Sequence, residues 1–348
     1  MGFTGRRNLL AGLFAAGLLS RPQPLRADER QAVEDGARKE GAFALATSVS
    51  VAGFTKFMDA FKAKYPYLDI VNGYYAAPTG RVLARVYAEM DAGSLSFDAL
   101  HVASLAPYLT MSRKGQLQPY HSPELAAFPD NAHGGDLWTS ARIVGVIMAY
   151  NKNVLASDKA PKSWKDILRP EFKGRKLIIQ DSAAGTAFNQ MYILEKLFGT
   201  DFMKQWGAQQ PIVVATAAQL IDLLIRGEAL VGATVDHYRA FEPDPVKAGI
   251  VGVYPTEGLP VTMVPVGILK GAPHPNAARL FIDFTLSREG NTLLAHDIFN
   301  VYSSRPDVPA PTGQLPFAET KPLFPQDLTD YEKAAANFPE HFDSFFKA

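Results

Sequence analysis

The sequence predicts an α/β protein built from two units, each a mainly parallel sheet flanked by helices. Three observations predict it. Strand-like and helix-like patterns alternate along the chain, the signature of βαβ units. The chain has 348 residues, more than one hydrophobic core comfortably serves. One long apolar stretch, 142–151 (RIVGVIMAYN), lies between the two alternating regions and suits a strand crossing from one unit to the other.

The first segment, 1–27, reads as an export signal. Arg6 and Arg7 make a basic start, 9–19 is an apolar run, and Ala27 is a small residue before Asp28, where cleavage is expected. The arginine pair followed by Asn8, Leu9 and Leu10 resembles a twin-arginine signal. The run is too short for a helix spanning about 30 Å of hydrocarbon, which needs roughly 20 residues. The mature chain is therefore expected to be soluble and periplasmic. Lys+Arg and Asp+Glu each number 35, so no basic excess points to a nucleic-acid partner. With no cysteine, disulfides, thiolate metal sites and a cysteine nucleophile are excluded.

In the first unit, 41–50 reads as a buried strand ending in small polar residues. Residues 53–65 follow as an amphipathic helix with Phe54, Phe57, Met58 and Phe61 at helical spacing, stopped by Pro66. Residues 68–75 alternate as a strand, Thr79 and Gly80 open a helix through Met90, and 97–102 is a short strand. After the crossing strand come a short helix at 162–168, a strand at 176–180 and a helix at 187–198. A strand at 212–214, a helix capped by Thr216 with Gln219 as its capping-box partner, and a strand at 230–235 complete the second unit. Strands at 249–254 and 262–269, an amphipathic helix at 276–287 continued over 290–296, and a terminal helix at 328–346 close the chain. No fixed-period repeat is present.

In parallel sheets ligands bind beyond the carboxyl ends of the strands, so the residues there are the candidates. They are Ser48 and Ser50; Thr79, Gly80 and Arg81; Ser104; Ser182, Ala183, Gly185 and Thr186; and Asp236 with Tyr238. Ser140 and Arg142 begin the crossing strand and are further candidates. Helix starts at Thr79 and at Ser182 to Thr186 offer free N–H groups to an anion, and Arg81 can add a bidentate clamp. The plainer alternative makes Thr79 and Ser182 ordinary caps and Arg81 a solvated residue. Tyr238 faces the cleft or packs beside the sheet, and Glu257 is a cleft carboxylate or part of a surface turn. His237, Trp138 and the three phenylalanines are expected to be structural.

Several stretches resemble the iron-type branch of the extracellular solute-binding proteins of ABC importers. They are Tyr150-Asn151-Lys152 followed by Ala160-Pro161-Lys162-Ser163-Trp164; Phe172-Lys173-Gly174 leading to Asp181-Ser182-Ala183-Ala184-Gly185-Thr186; Glu257-Gly258-Leu259-Pro260; and Pro275-Asn276-Ala277-Ala278 running to Ser287. The resemblance implies a type II periplasmic-binding-protein fold of two lobes closing by a hinge around one solute. Lobe 1 is then 28–140 plus 262–310, and lobe 2 is 141–261 plus 311–348. It implies a monomer that delivers a small solute to an ABC permease, without catalysis or cofactor. Ferric-ion members carry two adjacent tyrosines where this chain has Tyr238 and Arg239. An arginine cannot ligate a metal. The expected cargo is a small anion, a phosphonate, phosphate ester or carboxylate, with ferric ion held through Tyr238 or a ferric complex as the alternative. An exported sensor or enzyme would use the same cleft. Motifs for a nucleophile elbow, a zinc protease, a P-loop and a dinucleotide fold are absent. Ser344 and Lys347 fit S-x-x-K only formally, at the chain's end.

Overall fold

The computed structural model describes residues 27–49, 51–70 and 73–347. The expected export segment up to residue 26, and Ser50, lie outside the described residues. Ala27, the expected cleavage residue, begins helix α1 (Ala27–Glu40).

The first unit continues as β1 (Leu45–Thr47), α2 (Val51–Lys64), β2 (Tyr74–Ala76), α3 (Thr79–Asp91), β3 (Ala99–His101), α4 (Ala106–Arg113) and β4 (Leu117–Gln118). The apolar spacing of α2 buries Phe54, Phe57 and Phe61 completely. Burying each such ring stabilises the fold by roughly 1.5–3 kcal/mol. Strands β2, β1 and β3 pair in parallel in that order. Of the strand expected over 68–75, residues 71 and 72 lie outside the described residues, Tyr74 begins β2, and Asp69 forms an isolated bridge to Ala42.

Strand β5 (Thr139–Asn151) starts before the predicted 142, so it includes Ser140, and all thirteen of its residues are buried. The second unit comprises β6 (Leu177–Gln180), α5 (Gly185–Phe198), α6 (Thr200–Gly207), β7 (Ile212–Val214), α7 (Ala217–Ile225), β8 (Val231–Asp236), α8 (Pro243–Lys247) and β9 (Ile250–Val253). Here β8, β6 and β7 run parallel. Strand β10 (Leu259–Leu269) is antiparallel to β3 and to β5. The chain ends with α9 (Pro275–Leu286), α10 (Arg288–Thr292), β11 (Tyr302–Ser303), β12 (Pro322–Leu323) and α11 (Leu328–Phe346). The architecture is the expected two-unit α/β fold, each sheet mainly parallel with antiparallel crossing strands.

Strand β5 joins the units. Its first half pairs with β10 in the first sheet, and its second half pairs with β8 and β9 in the second. At the change-over, the buried ring of His237 puts Nδ1 3.0 Å from the Gly145 N–H and 3.1 Å from its carbonyl, and stacks on Tyr302 at 4.7 Å. His237 is structural, as expected, and burial lowers its pKa to about 4. Strand β5 also carries an irregularity opposite Val264 and Pro265, where Ala141 is the extra residue between Ser140 and Arg142. Such bulges re-aim the side chains beside them.

Helix α11 touches both units. Its rings pack on α5 and α6, with Phe188 4.9 Å from Tyr331 and Trp206 5.5 Å from Phe346. On its other side the Glu332 carboxylate accepts hydrogen bonds from Thr110 and Arg113 of α4. A groove of about 440 Å³ lies there, with Trp138 and Met263 among its walls. Trp138 packs as expected, and Glu257 belongs to a turn, accepting from Ser163 Oγ at 2.5 Å.

Candidate functional site

The candidate site has an apolar floor, supplied in part by the crossing strands. Val144 of β5, Val264 of β10 and Val301 form one buried cluster. Ala103, just after β3, Tyr238, just after β8, and Phe299 pack against it. The ends of strands from both units thus meet over one patch. The units are also in direct contact there. A Cβ added at Gly185, the first residue of α5, would lie 2.7 Å from the Ala103 carbonyl oxygen. Only a residue without a side chain permits that approach.

Above this floor lies Arg142. Its guanidinium sits 4.1 Å over the Phe299 ring, and the residue is only 6 % exposed. Its Nε has no hydrogen-bond partner among the described residues, and no ion pair ties it to a carboxylate there. Burial lowers its pKa to about 10, opposed by the negative ends of Tyr238 and Asp236. A buried guanidinium without a paired anion is costly, which is why such groups normally pair or bind a ligand.

Asp236 closes β8 and is buried. Burial pushes its carboxyl above the usual range, opposed by Thr186 and Gln180, which approach it, and by the charges of Arg239 and Arg142. Its Oδ1 has no partner of hydrogen-bonding geometry among the described residues. Burial raises Tyr238 to about 12, and Asp236 adds to that rise. The phenol therefore keeps its proton at neutral pH. Arg239, which stands where a second tyrosine would be, pairs with Glu242 at 2.8 Å.

Thr186, Gly185, Arg142, Asp236 and Tyr238 are thus brought together, and Ser104 follows Ala103 at the same contact. The turn before α5 is built by Asp181, whose Oδ1 accepts from Ala183 N at 3.0 Å, so Ser182 does not cap the helix. Ala184 is the N-cap, with no side chain bonded to the helix amides. The first amides of α5 are left for another acceptor.

Other predicted residues have different roles. Ser48 Oγ accepts from Ala103 N at 3.1 Å, bracing the loop after β3. Ser140 Oγ bonds the Arg142 carbonyl at 3.0 Å and Ser304 Oγ at 2.8 Å, so it supports the bulge. The N-cap of α3 is Pro78 rather than Thr79, and no side chain caps that helix. Gly80 and Arg81 are exposed on its first turn.

One site residue escaped the sequence argument. His101, the last residue of β3, is fully buried and feels the charge of Arg142. Read as part of an apolar strand, it gave no signal beyond being a histidine at a strand end. Among the described residues no group of three or more His, Cys, Asp or Glu side chains forms a metal cage.

Comparisons with known proteins agree with this architecture. A family model described as bacterial extracellular solute-binding protein matches residues 107–323, more than half of the chain. An uncharacterized protein of Haemophilus influenzae is 28 % identical over 246 residues, covering 67 % of this chain and 69 % of its own. Among solved structures, iron-bound HitA from Pseudomonas aeruginosa is 20 % identical, with a TM-score of 0.76 over 86 % of this chain and 99 % of that one. AfuA from Actinobacillus pleuropneumoniae, with exogenous fructose-6-phosphate bound, is 21 % identical, with a TM-score of 0.74 over 88 % and 99 %. The solved structures share its fold, and with a family match over more than half of its length the chain belongs to the bacterial extracellular solute-binding proteins.

Proposed function

We propose that the chain captures one small organic anion in the interlobe cleft and hands it unaltered to a membrane permease. The observation that carries this is Arg142, a buried guanidinium whose Nε has no hydrogen-bond partner and which forms no ion pair among the described residues, Asp236 acting on it only as a nearby charge. The uncapped start of α5 adds N–H donors and the positive end of a helix dipole beside it. A phosphate ester, phosphonate or carboxylate satisfies both. The mature protein acts as a periplasmic monomer after cleavage near Ala27.

The cargoes named for the two solved relatives are iron and a sugar phosphate. For this chain the second chemistry is the better supported. The Arg142 guanidinium and one protonated phenol suit a negatively charged group more than a bare ferric ion.

Native mass spectrometry of the freshly purified protein, with metal analysis alongside, tests the proposal. An anionic organic mass is the expected result. Stoichiometric iron with tyrosinate colour would replace the anion by a metal. Conversion of a bound solute by the purified protein would replace transport by catalysis.

A further inference from the structure

Near Arg142 lies a buried polar group that a lone anion does not use. The His101 ring is fully buried at the end of β3, with its centroid 5.7 Å from Phe54. Phe54 lies 6.2 Å from Phe299, which carries the Arg142 guanidinium. His101 therefore stands at the edge of the aromatic stack that supports the cation. Neither ring nitrogen has a hydrogen-bond partner among the described residues.

The other buried histidine near the hinge is different, because His237 engages Gly145 and supports the crossing strand. The His101 ring carries the desolvation cost of two polar atoms and, among the described residues, supports nothing by hydrogen bonding. An apolar side chain of similar size would avoid that cost, as its strand neighbours Leu100 and Val102 do.

We propose that His101 is a specificity-determining contact of the cleft, its ring nitrogens bonding polar groups of the solute next to the charged group held by Arg142. This rests on the anion reading of the cleft. Burial and the Arg142 charge hold the ring well below the ordinary histidine range, so it is neutral. A neutral imidazole offers one donor and one acceptor. It selects a solute with a hydroxyl close to its charge over a bare anion.

The test pairs ligand-free stability with binding of two probes, glycerol 3-phosphate and inorganic phosphate, to wild type, His101→Leu and His101→Phe. Removing unpartnered polar atoms should raise the denaturant midpoint of at least one ligand-free variant. The same variant should bind glycerol 3-phosphate about tenfold more weakly, with a smaller change for inorganic phosphate. Loss of stability in both variants assigns His101 to the fold and overturns the proposal. So does unchanged binding of glycerol 3-phosphate. If wild type ignores both probes, the charged group of the solute is not a phosphate, and the midpoints still judge His101: a rise supports a role outside folding, a fall overturns it.

Discussion

Helices α3 and α5 follow the same local pattern, a parallel strand, a short turn and a first turn that no side chain caps, yet they meet different surroundings. Helix α3 begins with Gly80 and Arg81 in solvent. Helix α5 begins with Gly185 against the Ala103 carbonyl and with Thr186 buried beside Asp236. The difference teaches that an amide-rich helix start becomes a binding element only where the opposite unit covers it. Exclusion of water is what makes a dipole and a guanidinium strong.

The comparison breaks most visibly at Arg142. Arg142→Met keeps the packing on Phe299 and removes the charge. Calorimetry should show affinity for the native anion falling by about 10- to 100-fold, the range expected for a buried charge-assisted contact. Retained affinity would move the anion site elsewhere.

A second contrast concerns buried ionisable groups. Asp283 in the first unit accepts from Tyr120 at 2.9 Å and Ser122 at 2.6 Å, and burial raises it to about 6. A carboxyl raised in the folded state binds more protons there, so its contribution grows as pH falls from 6 towards 4. His237 at the hinge is lowered to about 4, so its contribution is complete above its unfolded pKa of about 6.5 and is lost as pH falls towards 4. Each effect amounts to about 3 kcal/mol, and the two oppose each other. Between pH 6.5 and 4 the contributions of these two groups should therefore offset each other. Asp283→Asn should lose stability steeply over that window, and His237→Phe should gain, both followed by urea midpoints. Parallel pH profiles for all three proteins would refute the opposition.

Gly185→Ala places a methyl group against the Ala103 carbonyl. The units must then stay slightly apart, and binding should weaken by about tenfold with a larger ligand-bound radius of gyration in solution scattering. The smallest effect is expected at Arg81. As an exposed side chain, its replacement by alanine should change affinity by no more than about twofold. A loss as large as that of Arg142→Met would put α3 back into the site.

The sequence showed the elements better than the site. The terminal helix, β5 and the Thr216 cap were legible because each rests on local periodicity or capping, and Thr216 Oγ1 does accept from Gln219 N at 3.1 Å. Helix α6 was not read. Arg142 could be placed at the head of a strand, but the Ala141 irregularity that orients it arises from pairing with β10, a partner more than a hundred residues away. Arg81 and Arg142 looked alike as arginines near strand ends. Only tertiary cover separates them. His101 was hidden by its apolar neighbours, since strand periodicity reports which face a residue shares and not whether its polar atoms find partners.

Helix α11 has a practical consequence. It is fastened to the second unit by rings and touches the first through Glu332, across a groove walled by Trp138. Trp164 and Trp206, the other two indoles, are fully buried in the second unit. Trp138 is therefore a built-in lamp at the seam. Its emission colour should track how tightly the halves are shut, giving an optical gauge of cargo loading that needs no attached dye.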